Sequence, residues 1–399
     1  MEMLKSANFG RETRVQPDKR NYLTSKFVIV IKFIECHFRF LPLTRRSSKC
    51  IQKRVLFLVD IFHHFRRLSI IFIMRVHQSR SVFIMMTVPD EVCEQFWRDG
   101  FAHLPNFLNE KQIEAILEKF PLLYRGDFET GHYPDEWHWR EGISKDTCTR
   151  EICNGWKSDR TIAAAVLSER LGEIVCSIMN SKFAECEEQK WAGSRIGQDD
   201  VLWKPPGAGG VGFHQDSAYI SRQFVPEYSN AITCWMALDD ANSENGVVQY
   251  ARGSHRWPAA GDLTSTTSDF HNGSSDPLAN VKRLAESFNQ PFDLVEYTVK
   301  RGDLLFHHQD TWHGSGPNKT TDRPRRSLVA HLIRADIVYR EGEAFSETKN
   351  GPDYIYGRYK LRGSNQLRDE FFPVTYAIPG KGLTRTSWIN EFAPNNLSF

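Results

Sequence analysis

The feature that most restricts the fold of this chain is a series of short apolar runs in its C-terminal half. They are AITCWMALDD (231–240), VVQYARG (247–253), FDLVEYTVK (292–300), DLLFHH (303–308) and RRSLVAHLIRA (325–335), separated by stretches rich in Gly, Pro, Asn and Asp. Runs of this length, enriched in Val, Ile, Thr and aromatic residues, fit a pleated surface. Turns at Glu-Asn-Gly (244–246) and Arg-Gly-Asp (301–303) divide them. Five or more such strands at close spacing predict a β-sandwich or jelly roll.

Helical periodicity dominates upstream. Thr-Val-Pro-Asp at 87–90 offers an N-cap and a proline at the start of EVCEQFWRDG. Asn-Glu-Lys-Gln at 109–112 caps IEAILEKF, whose Ile113, Ile116, Leu117 and Phe120 share a face. The stretch 124–143 is rich in Gly and aromatics with no clean period and predicts a long ordered loop; Trp137, His138 and Trp139 are candidate walls of a substrate pocket. DRTIAAAVLSERLGEIVCSIM (159–179) returns to helix. The expected architecture is therefore mainly β with flanking helices.

Charge divides the chain unevenly. Residues 1–88 hold 17 Lys/Arg against 5 Asp/Glu, leaving 34 against 44 in the remainder. An acidic body argues against nucleic acid as a partner, because phosphate binding needs clustered positive charge. The apolar segments of the basic part are interrupted by Lys, Arg, His or Glu, so no membrane span is expected. We expect residues 1–84 to be a basic extension outside the folded core, either a presequence or a segment ahead of a working start near Met85 or Met86, and residues 85–399 to form one domain. Eight cysteines without a CxxC pair suit free thiols in a reducing compartment, with the cytoplasm as default and an organellar presequence still open.

The candidate chemistry lies in GFHQDSAY. His214 and Asp216 at i, i+2 point to one face of an extended strand, and two histidines with one carboxylate leave open positions on iron(II). A second His-x-Asp, His308-Gln309-Asp310, competes; the first is preferred because it leaves His313 as a single distal ligand, with His307 and His308 read as ordinary strand or rim histidines.

The strings KPPG, FHQD, WMALDD, ENG, GSH, GDLLFHH and WHGSGPN, in that order over roughly residues 87–345, closely resemble the phytanoyl-CoA dioxygenase family of 2-oxoglutarate-dependent oxygenases. The resemblance implies a double-stranded β-helix of the cupin-like jelly-roll type, with iron(II) on His214, Asp216 and His313. It also implies that 2-oxoglutarate and O2 oxidise a small organic molecule. The distal carboxylate of 2-oxoglutarate calls for a guanidinium fork. Arg325 fits the family pattern, with Ser327 as its small neighbour, and Arg326 is the alternative because adjacent strand residues face opposite ways. Ser315 matches the assisting hydroxyl and Trp235 the pocket aromatic; Lys157 is a further candidate near the cofactor. Related halogenating enzymes lack the carboxylate present here as Asp216, so hydroxylation is the expected outcome. The rival readings are a cupin-like metal barrel with non-oxidative chemistry and a non-catalytic binding protein. The substrate's identity is not legible.

Overall fold

Amphipathic spacing builds the helices that back the barrel. The computed structural model describes residues 88–184, 187–258, 278–341, 356–393 and 396–399, so the basic extension and Thr87 lie outside the described residues. Helix α1 (Asp90–Asp99) starts with Pro89 in the cap position and no side-chain cap, and buries Val92, Phe96 and Trp97. After β1 (Phe101–Leu104), α2 (Glu110–Arg125) opens with the expected capping box between Asn109 and Gln112. The loop that follows contains one short strand, β2 (Glu136–Trp137), paired with β3 (Arg150–Cys153). The helical stretch beyond it divides into α3 (Arg160–Val166) and α4 (Glu169–Met179), because the Ser168 side chain caps a new helix by accepting from the Leu171 amide.

The strands then run β4 (Gly193–Lys204), β5 (Val211–His214), β6 (Phe224–Val225), β7 (Ala231–Ala237) and β8 (Val248–Ala251). Helix α5 (Ala279–Ser287) precedes β9 (Leu294–Glu296), β10 (Leu304–His308), β11 (His313–Ser315), β12 (Arg325–Arg334), β13 (Val338–Tyr339) and β14 (Val374–Ala377). A short α6 (Ile389–Phe392) follows. The larger antiparallel sheet has the order β1-β10-β7-β12-β4-β3-β2, with β14 also paired to β4; the smaller has the order β5-β11-β8-β9. The two sheets pack face to face as a jelly roll, which is the expected fold.

Strand parity sorts the side chains into two compartments. On β12, Leu328, Ala330 and Leu332 join the core under the helices, while Val329 joins the core between the sheets. On β7, Ile232, Cys234 and Met236 face the helices and Trp235 and Ala237 face inward. Leu304 and Phe306 on β10 face the helices, and Leu305 faces inward against Trp235. Polar residues sharing the parity of Val329, Trp235 and Leu305 therefore enter the inter-sheet space. Those residues are Arg325, Ser327 and His331 on β12, Thr233 on β7 and His307 on β10.

Candidate active site

Three electron-pair donors converge at one mouth of that space. His214 on β5 and His313 on β11 are cross-strand partners, and their ring centroids are 4.2 Å apart. Asp216 begins the turn after β5 and is buried. Its Oδ1 lies 3.6 Å from His214 Nε2 and 3.5 Å from His313 Nε2. The opposite ring nitrogens define the tautomers: His214 Nδ1 is 2.8 Å from the Gly212 carbonyl and His313 Nδ1 is 2.9 Å from the Thr311 carbonyl. A carbonyl can only accept, so each Nδ1 carries a hydrogen, and it is Nε2 of each ring that faces Asp216 Oδ1. Burial pushes the His214 pKa down to about 3, with the nearby His313 adding to the effect, so its ring is neutral at ordinary pH. Two imidazole nitrogens and a carboxylate oxygen within 4.8 Å of one another are a donor set that fits iron(II).

Asp216 is held from behind. Its Oδ2 accepts from the Thr233 hydroxyl and, at 3.0 Å, from His307 Nε2; Tyr219 donates to Oδ1 at 2.7 Å. Burial opposes the charge of Asp216, but His313, His331 and the hydrogen bond from His307 outweigh it and hold its pKa well below the usual carboxylate value. His307 is thus a buried partner of a candidate ligand, which corrects its reading as an ordinary strand histidine. His308, one residue on, points to the other face, where it lies 3.0 Å from the Ser229 hydroxyl and packs near Phe96 and Trp97.

Behind Thr233 runs a hydrogen-bonded chain. Thr233 donates to Asp216, so its oxygen accepts from His331 Nδ1 at 2.8 Å, and His331 Nε2 donates to Asp200 at 2.8 Å. A ring that donates from both nitrogens is an imidazolium. Burial works against that charge, yet Asp216 and Asp200 push the His331 pKa up to about 10. Glu151 on β3 and Thr149 also line the cavity.

The other end is basic. Arg325 is buried on the cavity wall, its Nε 3.2 Å from the Gly246 carbonyl, one terminal nitrogen 3.1 Å from Ser327 Oγ, and its guanidinium carbon 5.5 Å from the Trp235 ring centre. Burial lowers its pKa to about 10. Arg326 points the opposite way and is engaged by Asp239, to which Nε and one terminal nitrogen donate at 2.8 and 2.7 Å. Of the two arginines, only Arg325 lines the cavity. Ser315, Trp235, Val211 and Val248 complete this end. Lys204, on β4 opposite Arg325, donates to Ser315 Oγ and the Gly316 carbonyl, both at 2.7 Å.

The sequence reading overlooked Lys204, Thr233, His331 and Asp200. Parity would have found His331, six residues beyond Arg325 on one strand, and Thr233, two before Trp235. Four residues expected at the site lie outside the cavity lining. Trp139 is buried against Tyr124 and under Arg150, and donates to the Lys145 carbonyl. Trp137 packs on Phe128, and His138 lies 2.7 Å from Glu136. The cavity wall on that side is instead Thr149 and Glu151. Lys157 is held by Asp135 at 2.8 Å and the Tyr359 hydroxyl at 2.6 Å, and is not part of the cavity lining.

Several known proteins are similar to this chain. The 2-aminoethylphosphonate dioxygenase of an uncultured bacterium is 26% identical over 290 residues, covering 71% of this chain and 90% of that protein. The probable alpha-ketoglutarate-dependent hypophosphite dioxygenase of Stutzerimonas stutzeri is 21% identical over 236 residues, covering 58% and 74%. A phytanoyl-CoA dioxygenase domain-containing protein 1 homolog of Caenorhabditis elegans is 21% identical over 285 residues, covering 64% and 95%. Among solved structures, the non-heme alpha ketoglutarate dependent carbocyclase SnoK from nogalamycin biosynthesis superposes with a TM-score of 0.52 at 21% identity, covering 73% of this chain and 97% of that one, and shares its fold. The family model described as Phytanoyl-CoA dioxygenase (PhyH) matches residues 96–327, from α1 through the candidate ligands to Ser327 on β12, and the chain belongs to that family.

Proposed function

We propose that His214, Asp216 and His313 hold iron(II), and that Arg325, Ser315 and Trp235 seat 2-oxoglutarate beside it. The chain is an Fe(II)- and 2-oxoglutarate-dependent dioxygenase acting on a small organic substrate. The observation that carries the residue assignment is the convergence of two imidazole Nε2 atoms and one carboxylate oxygen, with both Nδ1 atoms tied to backbone carbonyls. When bound, iron(II) with O2 and 2-oxoglutarate supplies the oxidant that hydroxylates a substrate C–H bond, with release of succinate and CO2.

The protein's own part is orientation. The carbonyls of Gly212 and Thr311 fix the ring tautomers, and Thr233, Tyr219 and His307 fix the carboxylate of Asp216. Arg325 offers a planar fork to a carboxylate, and Trp235 and Val248 wall that end with apolar surface. Residues 85–399 carry the whole activity, and the free thiols at Cys93, Cys153, Cys176 and Cys234 fit a cytoplasmic setting. The test is succinate release from 2-oxoglutarate by residues 85–399 with iron(II), O2 and a substrate panel. Turnover that disappears in Asp216→Ala supports the reading. Full turnover in that variant would end it.

A further inference from the structure

The basic end of the cavity holds more positive charge than the protein itself answers. Lys204 is fully buried, and its ammonium donates to the Ser315 hydroxyl and the Gly316 carbonyl. Arg325, its cross-strand partner, is buried too, and its hydrogen bonds go to the Gly246 carbonyl and Ser327. Among the described residues neither cation makes an ion pair; Asp239, the nearby acid, is engaged by Arg326. Burial drives the Lys204 pKa well down, and the charge of Arg325 adds to that fall. Two like charges brought out of water side by side are costly without an anion between or beside them.

The chain builds this pair deliberately close. Gly246 sits at a φ of +82°, in the left-handed region that favours glycine. A Cβ there would lie 2.6 Å from the Gly316 carbonyl and 2.9 Å from the Lys204 side chain. The glycine of the Glu-Asn-Gly turn thus lets the Lys204 ammonium and the Arg325 guanidinium approach one backbone corner.

Ser315 links this corner to the cavity, which it lines. An ammonium can only donate, so the Ser315 oxygen accepts from Lys204 and its own O–H is turned away from the lysine, available to donate. We propose that Lys204 is a positioning residue for the distal carboxylate of 2-oxoglutarate, acting through Ser315 to point a hydroxyl donor at that carboxylate and adding a second positive charge behind Arg325. The proposal rests on the reading that 2-oxoglutarate lies at the Arg325 end.

The test is an anaerobic titration of the full chain with iron(II), following the visible charge-transfer band of the chelated 2-oxo acid. Two probes are used, 2-oxoglutarate and pyruvate, which lacks the distal carboxylate. Lys204→Met is expected to weaken 2-oxoglutarate by about tenfold or more, the scale of a lost charged hydrogen bond, while pyruvate changes by less than about twofold. Ser315→Ala added to Lys204→Met should cost less than the sum of the two, because the serine already lacks its orienting partner. In the metal-free protein Lys204→Met should melt at the same temperature or higher, since an unanswered buried charge has been removed. The proposal is overturned if Lys204→Met weakens both 2-oxo acids equally, leaves 2-oxoglutarate unchanged, or lowers the melting temperature or prevents folding, each of which makes the lysine structural. Absence of the band in the unsubstituted protein would defeat the 2-oxoglutarate reading itself.

Discussion

The two ends of the inter-sheet cavity are made by the same strands and handle charge in opposite ways. β12 supplies Arg325 at one end and His331 at the other, and β4 supplies Lys204 and Asp200. At the Asp200 end the chain answers its own charge: the imidazolium of His331 lies between Asp200 and, through Thr233, Asp216. At the Arg325 end the hydrogen-bond partners are hydroxyls and carbonyls. The difference separates architecture from reception. A buried charge with its counter-charge built in holds strands together, whereas one left to neutral partners is poised for a ligand.

Substitutions at each end sharpen or break this contrast. Breaking the built-in pair has the largest expected cost. Asp200→Asn leaves the His331 charge poorly answered and should lower unfolding free energy by about 3–5 kcal/mol in denaturant titrations. A loss below about 1 kcal/mol would mean that the acidic end is not self-contained. Next comes Arg325→Ala, which should raise the 2-oxoglutarate concentration needed for half-saturation about 100-fold, equivalent to about 2.7 kcal/mol. Removing a support of Asp216 is milder: His307→Ala should weaken iron(II) binding by about tenfold, read by competition with a chelator. Arg326→Ala, on the outward face of the same strand, should shift 2-oxoglutarate affinity by less than about twofold while costing about 1 kcal/mol of stability. The smallest change is expected from Glu151→Gln, which alters a cavity-lining residue not assigned to the cofactor and should leave 2-oxoglutarate binding as it was.

Much of this arrangement is legible in the sequence, for a simple reason. A strand has a period of two, so naming Trp235 and Arg325 as inward-facing also assigns a face to Thr233, Ser327 and His331. The capping box at Asn109 is equally local and reads directly. Partnerships between distant strands do not read this way: Lys204 and Ser315 are 111 residues apart, and Asp200 and His331 are 131 apart. Lys204 opens the KPPG string that helps carry the family resemblance, but nothing in that string points to Ser315 as its partner. The tryptophans at 137 and 139 mislead for a different reason, since a large aromatic ring suits a core and a pocket wall equally. Only the packing of Trp139 under Arg150 and against Tyr124 decides between them.

The most direct test of the central claim is the anaerobic visible spectrum of the iron(II) protein with 2-oxoglutarate, recorded for the unsubstituted chain, His214→Ala and Arg325→Ala. The account predicts a weak charge-transfer band in the first, none in His214→Ala, and in Arg325→Ala a band that needs far more 2-oxoglutarate to develop. A folded, iron-loaded protein without the band, or a band indifferent to His214, would contradict it.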